Sequence, residues 1–225
     1  MVYPFARYTL LPFIRFFIKK TVGIEHVPMH GPYIIACKHF ASLDGAFVAA
    51  TLTPYLNQKI YYVANVAQWG WFWEKIVSER WAGTIPFYKN NPSACLDVAN
   101  EYLRRGRIVG IFPEGFVEQR QKNQKAKTGT ARLALWNKVP IVPIGLKHTI
   151  TTRFANGMHK RRNAIKNILT HPHSLEIHIG QPFTLEKFYG KPVTKELLNK
   201  ATIEVMSHIE PLSELKRGVS EEPTF

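Results

Sequence analysis

The sequence predicts an α/β fold: a mixed, mostly parallel central sheet flanked by helices, with an interfacial helix at the N-terminus. Three observations point there. Apolar runs of strand length alternate along the chain with stretches of helical character. No internal repeat or low-complexity linker interrupts that alternation. A length of 225 residues with 45% apolar content suits one domain with a sizeable core and excludes a disordered chain.

The elements follow in order. In "MVYPFARYTLLPFIRFFIKK", Phe5, Tyr8, Leu11, Arg15 and Ile18 keep a helical period. Arg7, Pro12 and Arg15 interrupt the run, and a spanning helix wants about 20 clean apolar residues. No small-residue cleavage site follows. The stretch reads as a helix lying in the headgroup zone of a membrane, its basic residues toward lipid phosphates. Packing on the domain core is the other reading, and the two are compatible. Residues 1–22 are assigned to this helix, 23–218 to the α/β domain, and 219–225 to a frayed tail.

"PYIIACK" (Pro32 to Lys38) is the first β-rich run. "SLDGAFVAATL" then turns helical, with Ser42 at the N-cap position. "KIYYVAN" is a second strand, "WGWFWEKIVSERW" a helix with an aromatic face, and "GTIPFY" a short strand. "PSACLDVANEYLRRG" is a helix that starts near Pro92 and is closed by Gly106. "RIVGIFP" is a strand, "GTARLALWNK" a helix and "VPIVPIGLK" another strand, whose prolines point to an edge or irregular position. "SLEIHIGQPF" alternates as a half-buried edge strand would. "TKELLNKATIEVMSHIEPL" is an amphipathic closing helix.

Charge narrows the partners. Thirty Lys and Arg against 16 acids leave a net +14, so the surface attracts something anionic. Nucleic acid, an acidic membrane face, a phosphorylated substrate and an acidic carrier protein all qualify on charge alone. Cys37 and Cys95 make no disulfide framework and read as reduced thiols of an intracellular protein.

The chemistry gathers at strand ends. Ligands of open parallel sheets bind outside the carboxyl ends of the strands. His39 follows the first strand, Lys89 follows "GTIPFY", and Pro113, Glu114 and Gly115 follow "RIVGIF". If those strands are parallel, all these points share one rim. His39 stands five positions before Asp44, one of two aspartates in the chain. With Ser42 capping the helix, the chain can fold back so that the carboxylate meets the imidazole. Such an aspartate fixes the tautomer and raises the basicity of the other ring nitrogen, which is apparatus for taking a proton from a hydroxyl. Glu114 projects from its turn, Gly115 permits close backbone approach, and Lys89 is a candidate phosphate ligand.

Taken together, these blocks resemble the glycerolipid acyltransferase family, best known for 1-acylglycerol-3-phosphate O-acyltransferases. The resemblance covers roughly Gly23 to Gly180. It rests on His39 and Asp44 as the His, four residues, Asp motif, and on Phe112 to Gly115 as Phe-Pro-Glu-Gly. "VPIVPIG", the Lys-x-Gly helix start at Lys127 and the lead-in "GIEHVPMHGPYIIACKH" add to it. The resemblance implies a glycerol-3-phosphate acyltransferase-like fold and an enzyme. His39 would act as general base on an acceptor hydroxyl, oriented by Asp44. The donor would be an acyl thioester on coenzyme A or acyl carrier protein. The acceptor would be a lysophospholipid, 1-acylglycerol-3-phosphate foremost. The chemistry calls for no metal and no cofactor. It also implies association with an anionic membrane surface on its cytoplasmic face.

Two departures stand out. Lys89 stands where the family's second motif ends in Arg, offering charge without the bidentate fork. After Gly115 the chain reads Phe116, Val117, Glu118 instead of Thr-Arg-Ser, so Arg120, Lys122, Lys125 or Lys127 must supply any second phosphate contact. Relatives acting on other lipid-linked hydroxyls therefore stay open. "HPH" at His171 to His173 reads as a proline turn and not a chelate, since no Cys/His set accompanies it. "HKRRNAIKN" reads as a loop facing lipid headgroups or an acidic carrier, not nucleic acid. The Trp-rich stretch from Trp69 suits an acyl tunnel, or core or membrane-facing packing. The rival class is a non-catalytic basic α/β domain that binds membrane or nucleic acid.

Overall fold

The computed structural model describes residues 8–38, 44–64, 82–88, 90–115, 126–148 and 170–213. Within them lie α1 (Leu10–Arg15), β1 (Ile18–Val22), β2 (Tyr33–Cys37), α2 (Asp44–Leu56), β3 (Ile60–Ala64) and β4 (Ile85–Pro86). The chain continues through α3 (Ala94–Arg104), β5 (Ile108–Ile111), α4 (Gly129–Asn137), β6 (Ile141–His148), β7 (Leu175–Ile179) and α5 (Lys195–Ser213). The strands form one sheet in the order β1-β7-β6-β2-β5-β3-β4. From β6 to β4 every neighbour is parallel; β7 runs antiparallel to β6, and β1 is parallel to β7. The expected mixed, mostly parallel sheet is therefore the one observed.

Alternation along the strands builds two cores. Ile34, Ala36, Val109 and Ile111 face α3, α4 and α5, where Ala99, Leu103, Leu133, Ala201 and Val205 meet them. Tyr33, Ile35, Cys37, Ile108 and Ile144 face α2, packing on Phe47, Val48 and Leu52. β2 is buried along its whole length, as a central parallel strand covered on both faces should be. Both cysteines are free thiols and buried.

Several expectations hold to the residue. Gly106, at φ +73, closes α3: its N–H donates to the Leu103 carbonyl, and the Arg107 N–H donates to that of Tyr102. This pair of bonds is a Schellman cap, which asks for the left-handed conformation glycine adopts without strain. The turn expected at "HPH" is present, with His173 at φ 57 just ahead of β7. The Trp69 to Trp81 stretch and the basic loop from His159 to Asn167 lie outside the described residues.

Three expectations are corrected. The N-terminal helix stops at Arg15, and Ile18–Val22 is a strand paired with β7. Ile18, Thr21 and Val22 are β-branched and suit a pleated edge, while Lys19 and Lys20 face solvent there and discourage further pairing. The second correction concerns β7, which is an interior strand and not an edge. Its alternation reports that one face is polar, not that a neighbour is missing. Glu176 and His178 form that face, with Glu176 bonded to His178 at 3.1 Å and to Lys19 at 3.2 Å.

The third correction is β6, which lies between β2 and β7 despite Pro143. Carbonyls of Pro140 and Ile144 accept from β2, at Ile34 and Lys38, while those of Ile141 and Pro143 accept from Phe183 and Gly180. Pro143 thus turns its missing N–H toward the β7 side. The named β7 ladder begins at Ile144↔Ile179, so the proline forfeits only the return bond to Gly180 at the end of that ladder.

α5 crosses β6 at Gly145. A Cβ there would run into the backbone carbonyl group of Leu212. Gly145→Ala is accordingly expected to destabilise the fold by about 2–3 kcal/mol through overpacking. Guanidinium unfolding midpoints test this; an unchanged midpoint would show that the end of α5 yields without cost.

Candidate active site

The five parallel strands bring their carboxyl ends to one rim, as the strand-end argument requires. Ala36 pairs with Ile111 and Tyr62 with Gly110, so β2, β5 and β3 finish nearly level. The chain leaving β2 at Cys37 re-enters described structure at Asp44, the first residue of α2. A carboxylate there complements the positive end of the helix dipole. It is also fully buried, at 0% exposure. A carboxylate so placed keeps its charge only among hydrogen-bond donors or cations.

Glu114 stands three residues past β5. Pro113 and Glu114 form a tight turn in which the Gly115 N–H donates to the Phe112 carbonyl at 2.9 Å. Gly115 takes φ +69 to complete it. Glu114 is 9% exposed, buried rather than projecting freely from the rim. The Lys127 N–H donates to the Pro113 carbonyl at 2.7 Å, which ties the start of α4 to this turn. The aliphatic stem of Lys127 lies alongside, with Cγ 3.5 Å from where a Cβ on Gly115 would stand.

Cys37 links the two carboxylates. Burial pushes its thiol well above the ordinary range, and the charges of Asp44 and then Glu114 push it further. Both carboxylates are therefore close enough to act on one buried sulfur at the end of β2. Cys37, Asp44 and Glu114, up to 77 positions apart in sequence, thus meet at one rim. Sequence reasoning missed Cys37, although strand alternation places it last on the α2 face. Phe112, named there only as the start of its motif, also brings its ring close to Gly45 in the first turn of α2.

Asp44, Glu114, Gly115 and Lys127 are thus brought to one rim, while His39, Lys89 and Arg120 lie outside the described residues. A separate shallow cleft of about 560 Å³ opens at the opposite end of the sheet, beside Pro32, Arg104 and Trp136. It borders the amino ends of β2 and β6, away from this chemistry.

An α/β sheet whose rim loops carry buried carboxylates beside a lysine defines a class of proteins that act on ligands at the strand ends. Within that class the chain belongs to the acyltransferase family, whose pattern matches residues 19–147. The 1-acyl-sn-glycerol-3-phosphate acyltransferase of Bacillus subtilis (strain 168) is 26% identical over 132 residues, covering 55% of this chain and 60% of the relative. The chain therefore matches less than two thirds of that relative's length. The crystal structure of the 1-acyl-sn-glycerophosphate acyltransferase of Thermotoga maritima shares the fold, with a TM-score of 0.55 at 17% identity. That match covers 92% of this chain and 81% of the other.

Proposed function

We propose that this protein transfers an acyl group from a thioester, carried by coenzyme A or acyl carrier protein, to the hydroxyl of a lysophospholipid. The acceptor favoured is 1-acylglycerol-3-phosphate, giving phosphatidic acid. The observation that carries this reading is the meeting of Asp44, Glu114 and Lys127 at the rim where β2 ends, two positions before His39 in sequence. Membership of the acyltransferase family and the printed activity of the Bacillus relative support it.

The steps follow from the residue types. His39 accepts the acceptor's hydroxyl proton on one ring nitrogen while Asp44 holds the other. The alkoxide oxygen attacks the thioester carbonyl, and backbone N–H groups meet the oxyanion. Collapse breaks the carbon–sulfur bond, and the departing thiolate takes the proton back from the imidazolium. Lys127, beside Gly115, supplies the cation that the altered third motif otherwise lacks, with Lys89 and Arg120 as further phosphate contacts. Glu114 binds an acceptor hydroxyl or holds a basic neighbour in place.

Purified protein incubated with labelled acyl thioester and a panel of lysolipids tests the proposal. Product should form on the phosphorylated monoacylglycerol, and Lys127→Ala should raise KM for that acceptor about tenfold, the loss of one charge-assisted contact. Acylation confined to unphosphorylated alcohols would move the acceptor elsewhere. No acylation of any lipid would remove the enzyme reading.

The same reading places the protein on an anionic membrane surface. Tyr8, Leu10, Phe13 and Phe16 are exposed beside Arg15, Lys19 and Lys20, while Leu11 and Phe17 anchor the segment in the core. That is the distribution of an interfacial anchor. Among the described residues no helix is long and apolar enough to cross a membrane. Phe13→Ser with Phe16→Ser should cut co-sedimentation with anionic vesicles by about tenfold or more, as two aromatic side chains leave the interface. Unchanged sedimentation would reject the anchor.

A further inference from the structure

The cleft at the amino ends of β2 and β6 takes no part in the chemistry above, yet its lining suits a ligand. It holds about 560 Å³ between α3, α4 and the starts of the two strands. Ligand sites for small molecules commonly enclose about 300–1,000 Å³. Pro32, Leu103 and Val139 form the apolar part of the lining; Asn100, Arg104, Trp136 and Asn137 form the rest. Trp136 leaves 43% of its surface to solvent, although tryptophan is on average a well-buried residue.

The two amides present a fixed edge. Asn137 Nδ2 donates to the Leu133 carbonyl at 2.9 Å and to Asn100 Oδ1 at 2.8 Å. A carbonyl only accepts, so the first bond fixes which end of the Asn137 amide is nitrogen, and the second then fixes Asn100. One donor, Asn100 Nδ2, and one acceptor, Asn137 Oδ1, are left without a partner among the described residues. A donor beside an acceptor matches the hydrogen-bonding edge of a nucleobase.

Two neighbours complete the set. Trp136 precedes Asn137 and offers an aromatic plane on which a base stacks. Arg104 lies one turn after Asn100 on the same face of α3. It is paired with no acid among the described residues, whereas Arg105 binds Glu101 at 2.8 Å. The carboxyl ends of α3 and α4 both border the cleft, and each carries about half a negative charge. A phosphate is therefore held only beside the full positive charge of Arg104.

We propose that this cleft binds a purine nucleotide. The base stacks on Trp136, Asn100 and Asn137 read its edge, and Arg104 holds its phosphate. The two fused rings of a purine cover more of the indole than a pyrimidine does. The site lies at the other end of the sheet from Asp44 and Glu114, so the nucleotide is not placed to react there. The inference does not depend on the acyl-transfer reading.

Isothermal titration calorimetry of the purified protein with AMP tests it, with adenosine, GMP and inorganic phosphate as comparison ligands. AMP should bind, adenosine about tenfold more weakly for want of the charge-assisted contact, and inorganic phosphate not measurably. Trp136→Ala should weaken AMP about tenfold or more. Arg104→Gln should bring AMP down to the level of adenosine and leave adenosine unchanged. Asn100→Asp keeps the acceptor that Asn137 uses but exchanges the outward donor for an acceptor. The ratio of AMP to GMP affinity should then fall about tenfold, because guanine offers two N–H groups side by side on one edge and adenine does not. Circular dichroism and Tm check that each variant is folded; should Asn100→Asp not fold, the Trp136 and Arg104 variants decide alone. The proposal is overturned by no heat with AMP at millimolar concentration, or by inorganic phosphate binding as well as AMP. It is equally overturned by AMP affinity indifferent to Trp136→Ala or to Arg104→Gln, or by an unmoved AMP-to-GMP ratio in folded Asn100→Asp.

Discussion

Replacing His39 with alanine is expected to lower kcat for acyl transfer by about 10²–10⁴-fold, the range of a lost general base. The protein should stay folded. The core on this face is built from Ile35, Phe47, Val48 and Leu52, all fully or nearly fully buried and none of them altered. Vesicle binding should also persist, because the exposed aromatics of α1 are untouched. Activity with circular dichroism and vesicle sedimentation on the same preparation separates these effects. Transfer that continues at even a tenth of the parental rate would mean another group removes the hydroxyl proton.

Asp44→Asn is the companion experiment, with an expected loss of about 10²–10³-fold. Asparagine fits the same buried space, so packing is conserved. What disappears is the negative charge that stabilises an imidazolium and favours one tautomer. The loss should fall on kcat, with KM little changed, since an orienting carboxylate acts mainly in the transition state. A variant within about threefold of the parent in kcat would leave Asp44 as a helix-terminal acid only, a role worth about 0.3–1 kcal/mol of stability.

Much of this arrangement was legible in the chain. The motif residues sit at strand ends, and strand ends were readable because each apolar run stops at a helix cap, a proline or a glycine. From there, parallel pairing alone makes neighbours of Asp44 and Glu114. The depth at which they lie was not readable. Glu114 looked like a surface turn residue, yet it is nearly as well covered as the strand that precedes it. Burial of a loop side chain depends on what folds over it, and that comes from elsewhere in the sequence.

The amino-acid order by itself determined the alternation of strands and helices, the Gly106 cap, and which loops carry chemistry, because periodicity and capping act over a few residues. Only the tertiary structure decided that β1 completes the sheet beside β7, that Pro143 is tolerated inside it, and that Tyr62 rests where Gly110 has no side chain. Each of these depends on a partner far away along the chain. A local pattern records which face of a strand is dry; it does not record which strand lies next to it.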